Sequence, residues 1–243
     1  MTATLKTTII QEPSSANANI TLGSAGGMTI NAGSNSAAPL YFTSGTNLSV
    51  PAAGATEYNG TNFFFTPTGT ARSVVPTQYF YRIGVATTLN SATGNQAIFS
   101  GLTSGVLLAA TTTYEFEIVF NLVTSGTTSH TESFGFVANG GLTTTDVAYQ
   151  VWRYANNATT ATAPTDSWQT AITPVVLTGA LTTAQNATYV ARGTITTNVA
   201  GSLNPVVAFS AAPGGTSTIS IGSFMRIAPL TQSSAAVNIG TWL

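Results

Sequence analysis

Glu115 and Glu117 lie two residues apart in "TYEFEIVF", and a spacing of two places both carboxylates on one face of a β-strand. Paired acids on one face suit general acid-base work or a hard cation. The simpler reading is ionic pairing: two glutamates on an outer strand face, opposed by Arg192 or Arg226 from a neighbouring strand or subunit. A pair of that kind contributes roughly 0.2–1 kcal/mol and needs no further role. His130 is the one histidine, in "SHTES", where Ser, His and Glu132 sit within a few residues. Catalytic triads converge from separate elements and need an oxyanion hole, so this cluster predicts a loop histidine that is solvent-exposed or lines a symmetry axis. Asp146 and Asp166 flank loops, and no D-x-D-x-D-G calcium loop accompanies them. With no Cys, thiolate chemistry, disulfides and zinc-thiolate sites are excluded. One His and seven scattered acids leave few ways to build a tuned acid-base pair, so the expectation is no enzyme, no catalytic residue, no cofactor and no metal.

The tryptophans raise a different chemistry. Sugar sites combine an aromatic platform with amides and carboxylates, and "VWRYANN" and "TDSWQ" carry both. Trp168 follows a Pro-containing loop and is the candidate exposed aromatic. Trp152 is the second candidate glycan or receptor contact, with core packing as the competing reading because it continues the alternation of "VAYQVWRY".

These side chains need a scaffold, and the composition describes it. Charged residues make up 5% of 243, against about 25% in an ordinary soluble domain, while 43% are hydrophobic and 9% aromatic. A chain so composed buries a core and folds. A net charge of -1 with six basic residues cannot neutralise a row of phosphates or hold an anionic membrane, so neither nucleic acid nor membrane insertion is expected. No apolar run approaches the ~18 residues of a spanning helix, and "MTATLKTTIIQEPSS" lacks the pattern of a secretory leader.

Residues 13–38 are dominated by Ser, Ala, Asn and Gly. Within them Ile20 and Leu22, then Met28 and Ile30, alternate around "GSAGG" as a thin hairpin would. From Tyr79 onward, β-branched and aromatic runs alternate with Gly-, Pro-, Asn- and Thr-rich turns. "TYEFEIVFNLV", "TESFGFVA", "DVAYQVWRY", "AITPVVLTG", "ATYVARGTITTN", "NPVVAFSA", "STISIGSFMRIAPL" and "AVNIGTWL" read as strands, and "LTTAQNA" as one short turn of helix. The predicted fold is all-β: a jelly-roll-like antiparallel β-sandwich over 78–243, preceded by an extended N-terminal arm (1–38) that anchors or intertwines and an extended β-connector (39–77). The expected inner residues are Phe99, Tyr114, Phe116, Phe120, Phe134, Phe136, Trp152, Val190, Phe209 and Ile227.

The connector, "PLYFTSGTNLSVPAAGATEYNGTNFFFTPTGTARSVVP", resembles a segment of tailed-bacteriophage virion proteins, in which it precedes a C-terminal β-domain. The matching residues include Pro39, Phe42, Gly45, Leu48, Pro51, Gly54, Glu57, Tyr58, Gly60, Phe63, Thr66 and Pro67. Downstream, "RSVVP", "TYEFE", "FGF" and a late "SFMRIAPL" follow in a similar order. The resemblance implies a non-enzymatic homotrimeric virion component of the capsid-decoration, head-fibre or tail-fibre type. Its implied partners are its own copies and major capsid or tail proteins, and it would be assembled in the host bacterial cytoplasm. A host-surface glycan is the partner under the alternative of a receptor-binding fibre or bacterial adhesin.

Physical chemistry supports assembly independently, because a surface of Thr, Ser, Asn and Ala meets its own copies while desolvating few ions. In such a chain each charge invites a partner. Glu57 is expected to pair with Arg72 or with an arginine of another subunit, and Glu115, Glu117, Arg192 and Arg226 are the remaining candidates for inter-subunit ion pairs.

Overall fold

The computed structural model describes residues 35, 36, 38, 40–102, 105–156 and 164–231. Most of the arm, with its two alternating pairs, and the expected final strand "AVNIGTWL" with Trp242 lie outside the described residues. The chain divides into two compact units, Met1–Thr43 and Ser44–Leu243. Of the first, residues 35 and 36 form a turn. The second holds all the strands that follow, connector and sandwich together.

Within the connector, β1 (Thr56–Tyr58), β2 (Phe63–Thr68) and β3 (Ala71–Val75) form a three-stranded antiparallel sheet. Gly60, at φ 97°, makes the turn from β1 to β2 in a conformation that glycine adopts without strain. Phe64 is buried on one face of this sheet, and the Arg72 guanidinium lies 5.8 Å from its ring centroid. Asn62 is buried as well, and its Nδ2 donates to the carbonyl of Leu230 at 2.9 Å, tying the connector to the sandwich.

The sandwich contains β4 (Tyr79–Arg82), β5 (Thr87–Leu89), β6 (Gly94–Ala97), β7 (Val106–Leu108), β8 (Thr113–Thr124), β9 (Glu132–Asn139), β10 (Thr143–Ala155), β11 (Thr165–Gln169), β12 (Val175–Val176), β13 (Gln185–Val199), β14 (Gly201–Phe209), β15 (Ser217–Ile219) and β16 (Phe224–Thr231). One sheet runs β11-β10-β13-β8 and then to β15 and β16, with β5 on β15 and β4 on β16. The other runs β12-β9-β14, with β6 and β7 both on β14. Every pairing is antiparallel.

Three pairs behave as single strands interrupted midway: β4 with β5, β6 with β7, and β15 with β16. Counted so, and leaving out β10 and β11, the first sheet orders the strands first, eighth, third, sixth, and the second orders them second, seventh, fourth, fifth. That is the double Greek key of a jelly roll. The hairpin β10–β11 is inserted between the fourth and fifth strands and widens the first sheet beyond β13.

Alternation selects which side chains enter the space between the sheets. Along β8 the inner face carries Tyr114, Phe116, Ile118, Phe120 and Leu122, all buried. They meet Phe134 and Phe136 of β9, with Phe116 and Phe136 edge-to-face at 5.3 Å and Phe120 stacked on Tyr189 at 4.7 Å. Phe99, Phe209 and Ile227 complete the expected core.

Two expected core residues face the other way. Trp152 and Val190 are cross-strand partners on the outer face and are half-buried. The inner phase of β10 is Val147, Tyr149, Val151 and Arg153. That phase brings a charged residue inside, which an argument from hydrophobic alternation does not choose. "LTTAQNA" forms no helical turn either: Leu181 bridges His130, and β13 begins at Gln185.

Candidate functional site

Arg153 is admitted to the interior because partners from both sheets meet it. Its Nε donates to Glu132 Oε2 at 2.9 Å and to Tyr189 Oη at 3.0 Å, and its Nη2 donates to Gln185 Oε1 at 3.0 Å. Tyr189 Oη donates to the same Glu132 oxygen. Glu132 belongs to β9 of the second sheet, while Arg153, Gln185 and Tyr189 belong to the first, so the cluster clamps the sheets together at 1% exposure of Glu132. Burial pushes the Tyr189 hydroxyl well above its ordinary range, with the Glu132 carboxylate adding to the effect. Burial works against the Arg153 charge, and Tyr189 and Glu132 outweigh it, leaving the guanidinium above its ordinary value. The cluster is closed to solvent and acts as structure.

His130 lies beside this region and corrects an expectation. It is 2% exposed, packed edge-to-face on Phe209 at 5.5 Å, and its Nδ1 donates to the carbonyl of Thr128 at 2.8 Å. It is buried within its own chain and not solvent-exposed. Its bridge to Leu181 sets it inside the sandwich rather than on a free loop.

Of the charges expected to meet other subunits, all but Glu115 find partners within the chain. Glu57 receives Arg72 Nε at 2.8 Å and Nη2 at 3.1 Å, and the Leu48 backbone N–H donates to the same carboxylate. The Arg72 hydrogen bond, the Leu48 amide and the adjacent positive charge hold the Glu57 carboxyl below the usual glutamate range. Arg72 Nη2 also donates to the Leu48 carbonyl at 2.7 Å, so the pair pins residues 48, 57 and 72 together.

On the outer face of the first sheet, Glu117 lies between Arg192 of β13 and Arg226 of β16. Arg226 Nε donates to Glu117 Oε2 at 2.8 Å, and Arg192 Nη2 donates to Oε1. Register extends this triad into a row across the strands: Trp168, Gln150, Arg192, Glu117, Arg226, Phe80. Trp168 is 62% exposed and Phe80 57%, so the row ends in an open aromatic on each side. In the adjacent row Asp166, Trp152, Val190, Val119 and Phe224 stand in register, and Phe224 stacks on Phe80 at 5.8 Å. Asp166 accepts a hydrogen bond from Gln150 Nε2 at 2.7 Å, which links the two rows.

Beside the triad, in the row on its other side, Thr194, Glu115 and Ala228 are cross-strand neighbours. Their short flanking side chains leave a cleft of about 650 Å³ between the arginines and the segment Pro76–Gln78. Glu115 is exposed in this cleft and has no ion pair among the described residues. The two sequence carboxylates thus share a face and have different roles: Glu117 is clamped, and Glu115 is open. Among the described residues no group of three His, Asp or Glu side chains is placed to hold a metal ion, and no helix is long and apolar enough to cross a membrane.

The sequence missed Glu132, Arg153, Gln185 and Tyr189 as a cluster. The available signal was the phase of "VAYQVWR", where Val147, Tyr149 and Val151 already select the face on which Arg153 stands. Compared with protein families, with curated proteins and with solved structures, the chain gives no match.

Proposed function

We propose that the chain is a non-enzymatic structural component of a bacteriophage particle, a capsid-decoration protein or short head or tail fibre, that works by assembling with its own copies as a homotrimer and binding the particle. The observation carrying this reading is an exposed apolar edge in a chain whose few charges are mostly paired with one another. Arg72, Arg153, Arg192 and Arg226 are each engaged by an acid of the same chain. At the open edge of the sandwich, Tyr79, Phe80 and Leu107 stand exposed, Leu107 at 73%, around a groove of about 610 Å³ between β4 and β7. An uncovered apolar edge with few ions to desolvate suits contact between like subunits. Jelly rolls serve in capsids and in lectins alike, so the fold contributes analogy and not proof of role.

The direct test is location. Antibody raised against the purified chain and applied to intact phage particles should label a fixed, symmetric position on head or tail. Particles that carry none of the chain overturn the proposal. A receptor-binding role is the second reading, and the exposure of Trp168 favours it.

A further inference from the structure

We propose that the trough beside the Arg192–Glu117–Arg226 triad is a binding site for an uncharged glycan. The inference goes beyond the virion reading and does not rest on it.

The chemistry of the trough is balanced between donors and acceptors. Each arginine reaches Glu117 and still leaves more than half of its side chain open, 61% for Arg192 and 53% for Arg226. Glu115, exposed and without an ion pair among the described residues, supplies an acceptor on the trough floor, and Gln78 contributes an amide at its rim. Sugar hydroxyls both donate and accept, so a surface that offers guanidinium N–H groups next to a carboxylate matches them. Glu115 and Glu117 together offset Arg192 and Arg226, which leaves no net charge to select an anionic or cationic ligand.

Size and aromatic surface agree. A cleft of about 650 Å³ falls within the ~300–1,000 Å³ range of small-ligand sites. Phe80 borders Arg226 in the triad's own row, and Trp168 lies two strands beyond Arg192, roughly 10 Å away at ~4.8 Å per strand. An oligosaccharide laid along that row would have its hydroxyls at the triad and a ring face on Trp168. Gln150, held by Asp166, stands between them.

The test uses the full-length chain on an array of neutral oligosaccharides, followed by calorimetry with the best soluble binder. Binding should change less than twofold between 50 and roughly 300 mM salt, because no net charge is neutralised. Glu115→Gln and Trp168→Ala should each weaken it at least tenfold, while Arg82→Ala, outside the trough, leaves it unchanged. Thermal melts of both variants should match the parent, since both side chains are exposed. Silence across the array, binding confined to carboxylated or phosphorylated glycans, or affinity indifferent to both substitutions would overturn the proposal.

Discussion

Glu132 and Arg153 meet across the interior of the sandwich, one from each sheet, at 2.9 Å. Their position makes an ionic contact part of the core. Removing one partner strands the other as a buried charge, which costs about 3–5 kcal/mol, whereas replacing both with apolar side chains of similar size is often neutral. Arg153→Met should therefore lower the urea midpoint sharply, and Arg153→Met with Glu132→Leu should recover most of the loss. Equal destabilisation of single and double variants would contradict the clamp.

Tyr149 gives the opposite case. Its ring is buried among Phe116, Phe134 and Phe136, yet its hydroxyl has no hydrogen-bond partner among the described residues, and burial alone pushes its pKa up. Tyr149→Phe removes an unsatisfied polar atom and should leave stability unchanged or raise it by about 1 kcal/mol. Tyr189→Phe removes a hydroxyl that serves both Glu132 and Arg153, and should destabilise. Denaturant titrations of the two variants should shift in opposite directions or, for Tyr149→Phe, not at all.

Gly193 is required by space. A Cβ there would lie 2.2 Å from the Ala148 carbonyl oxygen and 2.4 Å from Tyr149 Cβ, and the carbonyl belongs to backbone that cannot turn aside. Gly193→Ala should cost ~2 kcal/mol or more through displacement of β10 from β13. A melting temperature equal to the parent's would refute the packing.

The connector should respond to acid. Glu57 has a folded-state pKa below its unfolded value of about 4.3, so its pairing stabilises fully above that value and is lost as pH falls through the lower folded one. Hydrogen-exchange protection factors over residues 44–75, corrected for the intrinsic rate at each pH, should therefore fall below about pH 4.3, while the core of the sandwich follows its own profile. Glu57→Gln should remove this pH response and loosen residues 44–75 more than the sandwich. An unchanged profile in the variant would assign the acid response to other groups.

How much of this was written in the sequence depends on the element. The alternation of "TYEFEIVFNLV" displayed both faces of β8, because one phase is wholly apolar and the other carries the glutamates. In β10 both phases hold an aromatic, Tyr149 in one and Trp152 in the other, and the larger ring is a poor guide. Val147, Tyr149 and Val151 set the inner phase, but it carries Arg153 inward, and the partner that satisfies that charge, Glu132, stands 21 residues away on the other sheet, where no local pattern reports it. His130 was misplaced for a related reason: its turn-like surroundings conceal the bridge to Leu181. For Glu57 and Arg72 the scarcity of charge was itself informative, since a nearly neutral segment with one acid and one base leaves few other partners. The outer row from Trp168 to Phe80 emerges only when the register of six strands is known, although each residue was visible alone.

The most direct test of the assembly account is the mass of the purified full-length chain by light scattering across a range of concentrations. The account predicts a particle of three times the 24.8 kDa chain mass that persists on dilution. A particle of 24.8 kDa at every concentration would contradict it.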